Sequence, residues 1–378
     1  MSKNVLITGG AGFIGSSLAI KLVDNGYRVT ILDNLSPQIH GIDGNKSDLF
    51  LKVKDKVNFI KGDVRNREDW RKAIEGQQVI IHLAAETGTG QSMYEIEKYV
   101  DVNIKGTSIM LDILTNEKHC VEKIMVASSR AIYGEGKYLC EKHGVVYPEA
   151  RKVEDMSSGD FEVKCPICGE NVKICATTED SKILPSSIYG ITKKAEEDMC
   201  ITVGKSIGIP VVVYRFQNVY GPGQSLKNPY TGILSIFSTI IKNNNSINIF
   251  EDGKESRDFV YIDDITDAVK LGIESSAANF EIFNVGTGDT TDVITVANTL
   301  KEKYNSNVEI KVSGNYRLGD IRHNFADITN IKTKLGYTPK YNFGQGISEF
   351  VKWVNTQEVF EDHYAKSIKE LKDKGLYK

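Results

Sequence analysis

Tyr189 and Lys193 stand one helical turn apart in Ser187-Ile188-Tyr189-Gly190-Ile191-Thr192-Lys193. That spacing suits proton transfer to or from an alcohol. A phenol with a pKa of about 10 is a poor base at neutral pH, and a neighbouring ammonium favours its ionised form. Spacing alone selects nothing here, because Tyr94/Lys98, Tyr133/Lys137 and Tyr138/Lys142 share it. Gly134 and Gly136 disfavour a helix through the second of these. The third straddles Cys140, and the first has no serine-bearing strand before it. Only Tyr189 follows a turn-forming Pro185-Ser186-Ser187 and opens a run of good helix formers, Thr192 to Met199.

The second chemical feature is the loop Thr8-Gly9-Gly10-Ala11-Gly12-Phe13-Ile14-Gly15, between an apolar strand and an apolar helix start. Gly9, Gly12 and Gly15 suit a tight turn, close approach of a pyrophosphate to backbone N–H groups, and tight packing of helix on strand. Asp33 closes the next predicted strand, where a carboxylate accepts hydrogen bonds from ribose hydroxyls and repels a 2′-phosphate. NAD is therefore favoured over NADP, the structural alternative for Asp33-Asn34 being a strand-end turn. Asp63, after the third strand, is placed either to touch the adenine or to make a turn.

These groups need a scaffold. Strands are expected at Asn4 to Thr8, Arg28 to Leu32, Val57 to Lys61, Gln78 to Leu83, Lys123 to Ser128 and Pro210 to Phe216, with helical patterns such as Ile14 to Asn25 and Tyr94 to Asn116 between them. The alternation predicts an α/β fold with a doubly wound parallel sheet. Beyond about residue 222 come a helix at Ile233 to Lys242, strands at Ile247 to Phe250, Phe259 to Ile262 and Phe280 to Val285, and further helices, read as a smaller α/β substrate lobe. The expected division is 1–228 and 229–378, with strands exchanged between the lobes and an insert at 134–180.

The chain has 378 residues, 40% of them hydrophobic, and a formal net charge of −3. That charge, with both signs interspersed, leaves no basic face for nucleic acid. No apolar run reaches the roughly 18 to 20 residues of a membrane span, so a cytoplasmic protein is expected. Three of the six cysteines fall within residues 165 to 175, which suggests metal before disulfide.

Six motifs in order resemble the extended short-chain dehydrogenases that act on nucleotide sugars. They are Thr8 to Gly15, His82-Leu83-Ala84-Ala85, Ser128-Ser129 before Tyr133-Gly134, Tyr189-x-x-x-Lys193, Arg215 to Pro222, and Arg257-Asp258 through Asp264. Gly319 to Asp327 extends the similarity. Within the family the chain is most similar to bacterial sugar 4-epimerases of the dTDP-L-rhamnose type, on Glu86 to Met93 and the cysteine-bearing insert. The resemblance implies a Rossmann-like domain for NAD, with Phe13, Ile14, Asn34, Val64, Leu83, Ala84, Ala85 and Asn103 also around the cofactor.

By the same resemblance, Tyr189 takes the proton from the sugar O4, Lys193 supports it and reaches the nicotinamide ribose, and Ser129 orients the hydroxyl. Ser128 is the other candidate for Ser129's part. Family dehydratases carry an Asp-Glu pair where this chain has Arg130-Ala131, so the elimination machinery is missing. Arg130 is either a sugar or phosphate contact or a solvated charge. Arg257 and Arg322 are expected to clamp the diphosphate, since a guanidinium fork matches phosphate oxygens, although Arg257-Asp258 also suits a structural ion pair. Thr87, Gln91, Ser92 and Asn218 are expected sugar contacts, with loop capping as the alternative.

Cys140-x-x-His143 and Cys165-x-x-Cys168 form two tight pairs separated by 21 residues, the pattern of a tetrahedral structural zinc ribbon. Cys175 is an alternative to His143, and a reduced flexible loop or a Cys165/Cys168 redox switch are the other readings. Cys120 and Cys200 are expected in the core. The whole predicts a dimeric NAD-dependent nucleotide-sugar 4-epimerase acting on a dTDP-6-deoxyhexose such as dTDP-L-rhamnose. A related sugar dehydrogenase or reductase, or a non-catalytic NAD-binding sensor, are the alternatives. Helical stretches 94–116 and 189–206 are the expected dimer seam.

Overall fold

Short apolar runs, five of them before residue 130 and two beyond 210, become one parallel seven-stranded sheet in a computed structural model that describes residues 3–228, 230, 232–359 and 364–378. The strand order is Ile282–Val285, Val211–Phe216, Lys123–Ser129, Val79–His82, Asn4–Thr8, Arg28–Asp33, Asn58–Lys61. Alternate strand residues face two helical layers. Val5, Ile7, Ile81, Met125 and Val212 pack with Leu18 and Leu22 of helix Phe13–Asp24 and with Ile265 and Val269 of helix Ile262–Glu274. Leu6, Ile80, Ile124, Val126 and Val213 pack with Trp70, Met110 and Leu114 on the other side. Each such side chain contributes roughly 1.5–3 kcal/mol on burial, and a one-residue slip would reverse every facing. The register is therefore fixed from both sides.

From Asn4–Thr8 the chain winds outward through Arg28–Asp33 and then returns to Val79–His82 on the opposite flank. This reversal opens a crevice at the carboxyl ends of the strands, beside Thr8. The glycine loop, Asp33 and the end of Lys123–Ser129 all reach that edge.

Two expectations about elements need correction. The strand expected at Phe280 to Val285 in the smaller lobe runs Ile282–Val285 and completes the large sheet against Val211–Phe216. Its apolar residues cover an edge that the first 228 residues leave open. The helix expected over Tyr94 to Asn116 is broken into Ile96–Tyr99, a π-helical turn Val100–Lys105, and Gly106–Asn116. The π turn rotates Asn103 inward, where its amide is fully buried and bonded.

The smaller lobe has its own core of Leu234, Phe237, Ile249, Phe259, Leu300 and Phe350. Its short strands pair as Asn218–Tyr220 with Phe259–Tyr261, Ile247–Ile249 with Ile310–Val312, and Ser256–Arg257 between Thr291–Asp292 and His323–Asn324. The proposed division falls at Pro229, which lies outside the described residues. The insert, whose lack of periodicity gave no elements from sequence, forms a three-stranded antiparallel sheet with Tyr138–Cys140 between Gly144–Val146 and Lys173–Ile174. Cys200 is buried as expected, whereas Cys120 is exposed. Among the described residues no helix is long and apolar enough to cross a membrane.

Candidate active site

One cavity of about 790 Å³ runs from the glycine loop, past the ends of the parallel strands, to the smaller lobe. At its floor Gly9, Gly12, Phe13, Ile14 and Gly15 line the wall. A Cβ on Gly15 would lie 2.3 Å from the Gly9 carbonyl oxygen, so backbone meets backbone and only glycine fits. Gly15→Ala is expected to lose most of its co-purifying NAD, measured as cofactor released on denaturation.

Asp33 sits where the second strand ends. Its carboxylate accepts from the backbone N–H groups of Ala11 at 3.0 Å and Leu35 at 2.8 Å. Burial pushes its pKa up, against the pull of those N–H groups and of His40, which lies 3.8 Å away. Asn34 donates to Asp63 at 2.9 Å, and Arg65 holds the Asp63 carboxyl at about 2, well below the usual range. Asn34, Asp63, Val64, Leu83, Ala84 and Ala85 continue the same wall. A cradle that a Cβ would fill, open to a buried carboxylate at the next strand end, fits the pyrophosphate and ribose of NAD.

The proton-transfer group is built by the helix Ile188–Ile207. Ser187 caps it, accepting from Gly190 N–H at 3.1 Å, and Gly208 ends it in the left-handed conformation. Gly190 explains why the helix lies so close to the serine segment. A Cβ there would stand 2.6 Å from the Ala131 carbonyl oxygen. The backbone N–H of Tyr189 donates to Ser92 at 3.1 Å, and the Tyr189 ring meets Tyr99 edge-on at 6.4 Å between centroids.

Tyr189, Lys193, Ser128 and Ser129 all line the cavity. None of the other three tyrosine–lysine pairs has both members there. Tyr94 bonds Glu370 outside it, while Tyr133 is buried between Asn284 and Arg215, and Tyr138 belongs to the insert's core. Lys193 is buried and donates to Glu196 at 3.1 Å. Burial pulls its pKa down, and the Glu196 carboxylate and Tyr189 push it up further, so the ammonium stays charged. Burial pushes Glu196 up to about 7.

Thr87, Gln91, Arg130 and Asn218 also line the cavity. Arg130 donates through Nε to Asn218 at 2.8 Å. Burial, with Arg257 nearby, lowers its pKa to about 9, so it remains a cation. Its half-buried side chain stands in the cavity wall. Ser92 and Asn103 are not in the wall but hold it. Ser92 positions Tyr189, and Asn103 ties both backbone groups of Glu86 to Thr192 on the tyrosine helix.

Arg257 reaches the cavity with its guanidinium fixed on the carbonyls of Ser256, Ile321 and Arg322. Arg322 does not. It is fully buried and bonded to Glu251, Asp252 and Glu162, three carboxylates that draw it away from any substrate. The second guanidinium in the wall is Arg317, held by Asp320 at 2.8 Å and stacked on Phe250. Sequence reading missed it because the stretch ahead of His323–Asn324 is irregular and offers no period to tell which arginine turns inward.

In the insert, the ligand atoms of Cys140, His143, Cys165 and Cys168 lie within 4.8 Å of one another. Cys175 stands outside the group, with its thiol directed at the Lys173 carbonyl.

The NAD dependent epimerase/dehydratase family model matches residues 5–150 and 165–286. A dTDP-L-rhamnose 4-epimerase from Burkholderia thailandensis is 34% identical over 354 residues, covering 93% of this chain and 95% of that protein. A putative UDP-glucose 4-epimerase from Methanocaldococcus jannaschii is 30% identical, with 93% and 98% covered. The structure of UDP-glucuronic acid 4-epimerase from Bacillus cereus, in complex with UDP-glucuronic acid and NAD, superposes with a TM-score of 0.76 at 25% identity, covering 93% of this chain and 99% of that one. The glycine cradle, the paired tyrosine and lysine, and these matches along most of the chain place it in the NAD dependent epimerase/dehydratase family.

Proposed function

We propose that the chain is a cytoplasmic, NAD-dependent nucleotide-sugar 4-epimerase acting on a dTDP-6-deoxyhexose such as dTDP-L-rhamnose. The observation that carries this reading is the convergence of Tyr189, Lys193 and Ser129 on the cavity that begins at the glycine loop. Tyr189 accepts the proton of the sugar O4. Lys193, charged and one turn along the same helix, stands beside the group that takes the proton, and Ser129 orients the hydroxyl. The glycine loop and Asp33 would hold NAD, which would supply a reversible hydride acceptor for C4. The 4-keto sugar turns over between the two transfers, and Tyr189 returns the proton to O4, so no net oxidation results. Ala131 offers no acid for elimination, which argues against a dehydratase. The dTDP sugar is supported by the Burkholderia relative.

Purified protein given dTDP-, UDP- and GDP-sugars without added cofactor is expected to form a product of unchanged mass with inverted C4 from the dTDP-6-deoxyhexose. Conversion that requires free NAD, with oxidised product, would favour a dehydrogenase instead.

Zinc is proposed at Cys140, His143, Cys165 and Cys168. Tetrahedral geometry with Zn–S of about 2.3 Å and Zn–N of about 2.05 Å places sulfurs roughly 3.8 Å apart and sulfur roughly 3.55 Å from nitrogen. The Cys140 and Cys168 sulfurs are 3.8 Å apart, and His143 Nδ1 lies 3.5 Å from the Cys140 sulfur and 3.6 Å from that of Cys165. Four protein ligands close the site, so the metal would serve structure. Elemental analysis is expected to find one zinc per chain, lost in Cys168→Ser. We also propose a homodimer through the helices around 94–116 and 188–207, where Ile96, Val100 and Ile191 are 48%, 40% and 47% exposed. Sedimentation should give twice the chain mass, and Ile191→Glu should halve it.

A further inference from the structure

The insert does more than decorate the surface, because its charged side chains hold the wall of the cavity opposite the glycine loop. Arg151, from the insert, grips Glu251 with both Nη groups, at 2.7 and 2.8 Å, and donates to the Asp320 carbonyl at 3.0 Å. Glu251 and Asp320 both line the cavity. Glu135, where the insert begins, accepts from the backbone N–H of Arg322 at 2.8 Å and pairs with Arg151. Glu162 accepts from the Arg322 guanidinium at 2.7 Å. The Arg322 and Ile321 carbonyls are in turn the acceptors that fix Arg257. Phe161 packs on Tyr316, next to Arg317, and Ser157 bonds the Tyr316 hydroxyl at 2.6 Å. Both cavity guanidiniums thus rest on backbone that the insert pins.

The insert cannot hold this shape by apolar burial alone. Its core is Tyr138, Cys140, Val146, Val163 and Cys165, and two of those five are cysteines of the proposed metal site. Small units of this kind need a staple. Cys165 lies three residues beyond Glu162, so the turn that would bind metal also helps to set the position of Glu162.

We propose that metal at Cys140, His143, Cys165 and Cys168 sets the grip of the cavity on the nucleoside diphosphate, with Arg151, Glu135 and Glu162 as the positioning residues that transmit it. This rests on the zinc site and on Arg257 and Arg317 as the diphosphate-facing pair. The metal would touch no substrate. Its effect is to keep two guanidiniums pre-organised, so that their ordering need not be paid for on binding.

The test titrates dTDP, and UDP in parallel, into the NAD-loaded protein by calorimetry, before and after zinc removal with a chelator under reducing conditions. Zinc removal is expected to weaken dTDP by about tenfold or more, the scale of one charge-assisted hydrogen bond, with NAD content unchanged and affinity restored by zinc. Arg151→Ala should reproduce the loss with zinc still bound, and Arg151→Lys should recover part of it. Zinc-free protein that binds dTDP as tightly as loaded protein would overturn the proposal. If Arg257→Ala abolishes dTDP binding while zinc removal does not, the coupling alone fails. If the loaded protein binds neither nucleotide, or Co²⁺ gives no thiolate absorption, the readings beneath it fail as well.

Discussion

Tyr189→Phe is expected to lower turnover by about a thousandfold, within the range typical of losing a positioned acid–base group, while leaving bound NAD in place. The hydroxyl is the only group removed. The ring still packs edge-on against Tyr99, and the backbone N–H still donates to Ser92. Substrate affinity should therefore change little, which separates a chemical role from a structural one. Lys193→Met is the companion variant. It removes the cation and leaves Glu196 buried without its partner, so it should lower both turnover and stability. Steady-state kinetics with cofactor content measured on the same samples checks both. A Tyr189→Phe protein with near-normal turnover would remove Tyr189 from the mechanism.

Arg322→Met is expected to destabilise the fold by about 3 kcal/mol, because breaking a buried ion network strands its remaining charges. Glu251 is nearly inaccessible and keeps only Arg151 as its cation, whereas Glu162 and Asp252 are partly exposed and regain water. Urea unfolding of the two proteins measures this directly. Arg257→Met is expected to behave in the opposite way, with modest loss of stability and a large loss of nucleotide affinity. If Arg322→Met unfolded like the parent and lost nucleotide binding, the assignment of these two arginines would be reversed.

Much of this was readable from residues alone, for physical reasons. Strands buried on both faces announce themselves as apolar runs, so the strands at 4–8, 28–33, 79–82 and 123–129 lie within a residue or so of their expected bounds. Gly9, Gly12, Gly15, Asp33, Tyr189 and Lys193 combine a residue type that chemistry demands with a fixed place at an element's end. The misreadings came where those constraints lapse. Ile282–Val285 has the same apolar look in either lobe, and only tertiary pairing decides which sheet it joins. The π turn at Val100–Lys105 leaves no mark on a helical pattern, though it is what turns Asn103 inward. Arg317 and Arg322 stand in one irregular stretch, and their facing is set by Asp320 on one side and Glu251 on the other, far apart in sequence. The grouping of Cys140, His143, Cys165 and Cys168 was legible because two Cys/His pairs at knuckle spacing need no tertiary information. What the insert holds, through Arg151 and Glu135, was not, because its partners come from the distant smaller lobe.

The most direct test of the central claim uses a dTDP-6-deoxyhexose carrying deuterium at C4, incubated with the protein as purified and without added cofactor. Transfer of that hydrogen away from C4 and back within one cavity predicts two C4 epimers of equal mass, both with deuterium retained at C4 by NMR. Deuterium lost to solvent or to free NADH, or a sugar product lighter by two hydrogens, would contradict it.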